Sequence, residues 1–281
     1  MSSYIPPAPA ADPVVLCVAP NGARRTQADH PALPLRPHEI AAEAAACADA
    51  GASVIHLHVR DDAGAHSLDA GRYREAITAI RRELGDRLLI QITTESVGRY
   101  VPEQQMALVR ELRPPAASVA LRELVPDEAA TATAAGFFEW ALREGIALQY
   151  IVYDADEARR LVAWTRAGIV PQRAPNVLFV LGRYAAGQKS APRDLLPFVH
   201  EWPDDWPWSV CAFGSAEAIC MAAGIGLGGH ARVGFENNLQ RADGSLARRN
   251  ADLVADVAAI ARRTGRSVAN AAQARNVYGA A

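Results

Sequence analysis

Eight times between residues 14 and 264 a short apolar run is followed by a loop and then by an amphipathic stretch, with no linker interrupting the alternation. This rhythm is what most constrains the fold, because a strand–helix–strand connection lays each new strand parallel to an earlier one and covers the sheet with the helix. The spacing predicts strands over residues 14–18, 53–59, 88–93, 117–121, 147–152, 177–181, 209–212 and 231–234. Helices are expected over 37–50, 70–84, 102–112, 128–144, 154–167, 193–200, 215–227 and 250–264, with a last one over 269–278 packed on the outside. Units of such regular length imply a (β/α)8 TIM barrel, a fold of about 250 residues, and the chain has 281. A doubly wound open sheet is the alternative, and the length also fits two small domains. Residues 1–13 are expected to be a flexible proline-rich arm, and residues 14–281 a single barrel domain ending in a C-terminal helix.

Helix-boundary chemistry supports the division. Pro37 and Pro102 stand where a first turn tolerates a missing N–H, and Asp154 and Ser215 are positioned to cap unpaired donors. Gly51, Gly85, Gly145 and Gly168 fall where helices should stop. Composition narrows the function. With 29 basic and 31 acidic residues and a net charge of −2, the chain carries no footprint for nucleic acid or an anionic membrane, so its partners are expected to be small molecules. Cys17, Cys47, Cys211 and Cys220 form no CxxC pair and lie in apolar segments, which points to reduced thiols in a cytoplasmic protein. No basic-then-apolar leader opens the sequence, and no run reaches the roughly 18 apolar residues of a membrane span.

In a barrel of this kind the chemistry sits at the C-terminal ends of the strands. The second run, VIHLHVRD, places His56 and His58 two positions apart, so on a strand both project from one face and can share one metal ion. Two hydrogen-bonded histidines inside a barrel would give the same pattern. The eighth run ends in Arg232-Val233-Gly234-Phe235-Glu236-Asn237-Asn238, where Glu236 is either an ordinary loop acid or a third ligand. His-His-Glu with an open position is a catalytic zinc set. Asn21, Thr93, Thr94 and Ser118 are further polar groups expected to contact a substrate.

The segments APNGARRTQADHPALPL, VIHLHVRDDAGAHSLD, LIQITTES, VLFVLGRY and GGHARVGFENN, in this order, resemble the β-keto acid cleavage enzymes over residues 14–274. The resemblance implies a (β/α)8 barrel that uses a divalent metal, usually zinc, and acetyl-CoA as co-substrate to convert a β-keto acid into acetoacetate and a new acyl-CoA. It implies His56, His58 and Glu236 as metal ligands, Arg232 as the arginine four residues before the glutamate, and Thr93 as the hydroxyl residue ending strand three. It also implies a homo-oligomer, a tetramer or larger. Three positions depart from the family pattern. Asn237 stands where relatives carry an aspartate thought to act as base, Glu95 replaces a glycine, and Arg24 replaces an acid that meets a substrate amine. An amide is not basic, so Glu95 is the candidate for proton transfer, with Asn237 left to orient substrate or Glu236. Otherwise Glu95 caps the following turn or pairs with Arg99. Arg24 is expected to select a β-keto acid whose far end is anionic or at least not cationic, unless it points to solvent. The competing reactions are a CoA-independent metal-dependent aldolase, decarboxylase or hydrolase acting on a keto acid. A metal-bound barrel retained as a binding protein is the non-enzymatic alternative.

Overall fold

The computed structural model describes residues 12 to 280. Most of the expected arm, residues 1 to 11, lies outside the described residues, as does residue 281. Eight parallel strands close a barrel: β1 (Leu16–Val18), β2 (Val54–Leu57), β3 (Leu89–Thr93), β4 (Ala116–Ala120), β5 (Ala147–Val152), β6 (Asn176–Leu181), β7 (Trp208–Ala212) and β8 (His230–Val233). Each pairs with the next, and β8 closes on β1 with Cys17 beside Arg232. Around them run α1 (Pro37–Ala50), α2 (Ala70–Leu84), α3 (Pro102–Leu112), α4 (Thr131–Arg143), α5 (Ala155–Arg166), α6 (Leu196–Glu201), α7 (Glu217–Gly226), α8 (Asn250–Arg263) and α9 (Ala271–Tyr278). The architecture is the TIM barrel that the strand–helix rhythm predicts. Among the described residues no helix is long and apolar enough to cross a membrane.

Period-two alternation explains why these runs serve as barrel strands. On β2, Ile55 and Leu57 join the outer core beneath the helices, whereas Val54 belongs to the cluster inside the barrel. The inner face changes chemistry along its height. Its lower part is apolar and small, with Val15, Cys17, Val54, Leu89, Ala116 and Ala147. Its middle is polar, with His56, Gln91, Ser118, Gln149 and Arg232 all buried.

Several local expectations need correction. The second strand stops at Leu57 rather than running to residue 59, because Val59–Arg60 turns away to pair antiparallel with His66–Ser67. The fourth predicted helix is a 3-10 turn, Glu128–Ala130, followed by α4, and an extra helical turn, Leu121–Leu124, precedes it. Asp154 does cap α5 by accepting from the Glu157 N–H, but Ser215 caps nothing, since α7 begins at Glu217 after Ala216. The final helix does not pack on the outside. Ala116 and Ala147 are too small to meet across the lower barrel, and α9 fills that end with Ala274 and Tyr278, both buried in the inner cluster.

Candidate metal centre and substrate hollow

Strand β2, the residue just past its end and the turn after β8 bring three ligand-type side chains together at the barrel mouth. His56 Nε2 lies 3.1 Å from His58 Nε2, and Glu236 Oε2 lies 3.7 Å from the first and 3.2 Å from the second. His58 is past the end of β2, yet its ring still turns back toward His56, and the side-chain amide of Asn21 donates to the His58 carbonyl at 3.3 Å. Glu236 reaches the histidines because Gly234 allows a tight turn. The φ of Gly234 is +140°, and a Cβ there would stand 2.3 Å from the carbonyl oxygen of Ala19. Gly22 clears the other side: a Cβ on it would meet Glu236 Cγ at 2.5 Å.

The electrostatics suit a cation. Burial opposes ionisation of Glu236, but the Arg232 guanidinium, 2.9 Å from Oε1, and the two imidazoles hold its carboxyl well below the usual range. Burial, then the charge of Arg232, pushes His56 down to about 3, so its imidazole is neutral at physiological pH. Burial pushes the neighbouring His66 to about 3 as well, and its Nε2 meets the Glu95 carbonyl at 2.9 Å.

A tetrahedral ion with ligands at about 2.0–2.1 Å keeps its donor atoms about 3.3 Å apart, close to the three separations found. Glu236 Oε2 has no hydrogen-bond partner among the described residues although it is buried, and the two imidazole Nε2 atoms face each other. The donor set therefore fits a divalent metal, since lone pairs held this close require a proton or a cation between them.

Beside this cluster opens a hollow lined by His56, Thr93, Glu95, Ser118, Arg232 and Glu236, with an apolar wall of Ala120, Ile151, Val180 and Phe213. Ser118 Oγ and Arg232 Nε are buried and unpartnered among the described residues. The Thr93 hydroxyl accepts from the Glu95 N–H at 3.1 Å, which leaves its own proton to donate. Thr94 does not line the hollow; its hydroxyl donates to the Ser118 carbonyl at 2.9 Å and ties β3 to β4. A second cleft, lined by Asn21, Arg24, Arg25 and Gln188, shares Glu95, Arg183, Phe213 and Glu236 with the hollow.

Glu95 neither caps the next turn with its carboxylate nor pairs with Arg99. It lies 3.4 Å from Arg183 and 3.8 Å from Arg24, whose side chain is 58% exposed. Asn237, the residue expected to orient substrate or Glu236, follows in the same turn. Its side chain is fully buried, lines neither cleft and has no partner among the described residues, while its backbone closes the turn onto Gly234 and receives the Gly214 N–H. Two residues that the sequence reading did not single out take part. Arg183 comes from the sixth loop, and Gln91, on the inner face of β3, receives His56 Nδ1 at 2.8 Å. Gln91 was legible as the β3 position beside His56 in the register; Arg183 had no sequence signal beyond its loop.

A sequence model of the β-keto acid cleavage enzymes matches residues 13–279. The chain is 31% identical to a 3-keto-5-aminohexanoate cleavage enzyme of Fusobacterium nucleatum, over 94% of this chain and 97% of that one. It is 29% identical to a 3-oxoadipate:acetyl-CoA acetyltransferase of Cupriavidus necator, over 95% of each. Among solved structures, the apo form of ObcA superposes with a TM-score of 0.72 at 18% identity, over 89% of this chain and 66% of that one, a likeness of fold.

Proposed function

Because the chain belongs to the β-keto acid cleavage enzyme family, we propose that it exchanges acyl groups between a β-keto acid and acetyl-CoA, releasing acetoacetate and a new acyl-CoA. The observation that carries the reading is the convergence of His56, His58 and Glu236 beside a hollow that Arg232 and Ser118 also line. These three would hold a divalent ion, zinc by the chemistry of the set, which supplies Lewis-acid polarisation of the substrate ketone.

The chain's own groups do the rest. Arg232 fixes Glu236 through one nitrogen and keeps Nε for the substrate carboxylate or a developing alkoxide. Ser118 and Thr93 donate hydroxyl protons to the substrate's oxygens. Glu95, at the mouth of the same hollow, moves the proton that Asn237 cannot, with Arg183 and Arg24 orienting its carboxylate. The apolar wall from Ala120 to Phe213 receives the remainder of the β-keto acid. With two guanidiniums against one carboxylate, that remainder is anionic or neutral rather than an ammonium. The family reading also carries a cytoplasmic homo-oligomer, a tetramer or larger, which size-exclusion chromatography with light scattering checks.

The test is acetoacetate formation from a panel of neutral, dicarboxylic and aminated β-keto acids, with and without acetyl-CoA. CoA-dependent product is expected. CoA-independent turnover, or preference for the aminated acid, would overturn the corresponding part of the reading.

A further inference from the structure

The polar groups inside the barrel form one continuous hydrogen-bonded line from His56 to the C-terminal helix. His56 Nδ1 meets Gln91 Oε1 at 2.8 Å, and Gln91 Nε2 donates to Gln149 Oε1 at 3.1 Å. Gln149 Nε2 donates to Asn176 Oδ1 at 2.8 Å and to the Tyr278 hydroxyl at 3.2 Å. Asn176 Nδ2 ends the line on the backbone carbonyl of Val277, in α9, at 3.3 Å. Small side chains make this possible. Gln91 and Gln149 lie on strands separated by β4, whose residues at that height are Ala116 and Ser118.

The terminal partner gives the line a direction. A side-chain amide can turn over and exchange its oxygen for its nitrogen, but a backbone carbonyl can only accept. Asn176 must therefore present Nδ2 to Val277 and Oδ1 to Gln149, so Gln149 turns Oε1 to Gln91, and Gln91 turns Oε1 to His56. An amide oxygen facing a ring nitrogen requires that nitrogen to carry the proton. We propose that Gln91, Gln149 and Asn176 are positioning residues which, anchored on the Val277 carbonyl of α9, fix His56 as the Nδ1–H tautomer and so turn the Nε2 lone pair toward His58 and Glu236. The inference rests on the ligand role of His56 only for its consequence; the tautomer itself belongs to the polypeptide. The C-terminal helix then acts on the site from the opposite end of the barrel, by setting the polarity of three amides.

The decisive measurement is the long-range proton–nitrogen correlation of histidine-labelled, chelator-treated protein at pH 7.5. The wild type should show His56 with Nδ1 protonated and Nε2 bare. An Nε2–H tautomer there overturns the proposal, whatever the protein's metal content or activity. Asn176→Leu, which frees the amides to turn, should give a mixed tautomer and weaken zinc binding by about 10–100-fold. Gln91→Glu, which keeps an acceptor against Nδ1, should preserve the wild-type tautomer. If Asn176→Leu retains the Nδ1–H form and the wild-type zinc affinity, the anchor on α9 is refuted. Should Asn176→Leu fail to fold, the wild-type spectrum and that of Gln91→Glu still decide the matter. A protein that shows the Nδ1–H form but takes up no zinc would confirm the amide line and refute the metal reading separately.

Discussion

Replacing Arg232 by Met isolates the charge that keeps Glu236 ionised. Arg232 is 3% exposed and its guanidinium stands 2.9 Å from Glu236 Oε1, so the pair is screened little by solvent. Opposite charges about 4 Å apart at an effective dielectric of about 20 attract by about 4 kcal/mol. Removing one member of a buried pair costs about 3–5 kcal/mol, because the other is left charged in the interior. In the wild type the Glu236 pKa lies well below its unfolded value, so the pair's stabilisation is complete above about pH 4.3 and fades only as pH falls through the folded value. Without Arg232 the largest remaining influence is burial, which raises the pKa above the unfolded one. The variant's deficit should therefore be greatest at neutral pH and shrink toward pH 5, where the carboxyl takes up a proton. Urea unfolding of chelator-treated protein, followed by circular dichroism at one protein concentration, should give a loss of about 3–5 kcal/mol at pH 7.5 and at least about 1 kcal/mol less at pH 5. A deficit below about 1 kcal/mol, or one identical at both pH values, would refute the account of Glu236 as a carboxylate held ionised by Arg232.

Gly22→Ala should displace Glu236, since the new Cβ would lie 2.5 Å from its Cγ at a φ of +58°; isothermal titration with zinc should show affinity reduced by about tenfold or more, and an unchanged constant would count against the packing argument. His58→Ala should lose most bound divalent metal by elemental analysis while keeping the far-ultraviolet spectrum, because His58 lies beyond β2 at the barrel mouth. Glu95→Gln should lower kcat by about 100-fold or more, and wild-type kcat across the pH range would place the proton transfer elsewhere.

The sequence by itself determined the barrel and pointed to the three side chains, His56, His58 and Glu236, that converge at its mouth. Eight short apolar runs, buried on both faces and joined by amphipathic stretches, leave few ways to satisfy the backbone and cover the sheet. Pro37–Ala50 runs from its proline to the residue before Gly51, Ala70–Leu84 stops before Gly85, and Pro102–Leu112 starts at its proline. The trio was legible because a two-residue spacing sets both histidines toward one side at the end of β2 and the family motifs single out the same three positions. Only the tertiary structure decided what lies between distant segments. That Glu95 faces Arg183 and Arg24 instead of Arg99 depends on how the first, third and sixth loops fold over the mouth. That Glu236 reaches His56 and His58 depends on a Gly234 turn pressed against Ala19. The final helix looks in sequence like any amphipathic surface helix; it enters the lower barrel because Ala116 and Ala147, far away in the chain, leave a space that Tyr278 fills. Local patterns encode which face of an element is apolar, but which partner fills a gap is a property of volumes and hydrogen-bond directions that exist only once the ring of strands has closed.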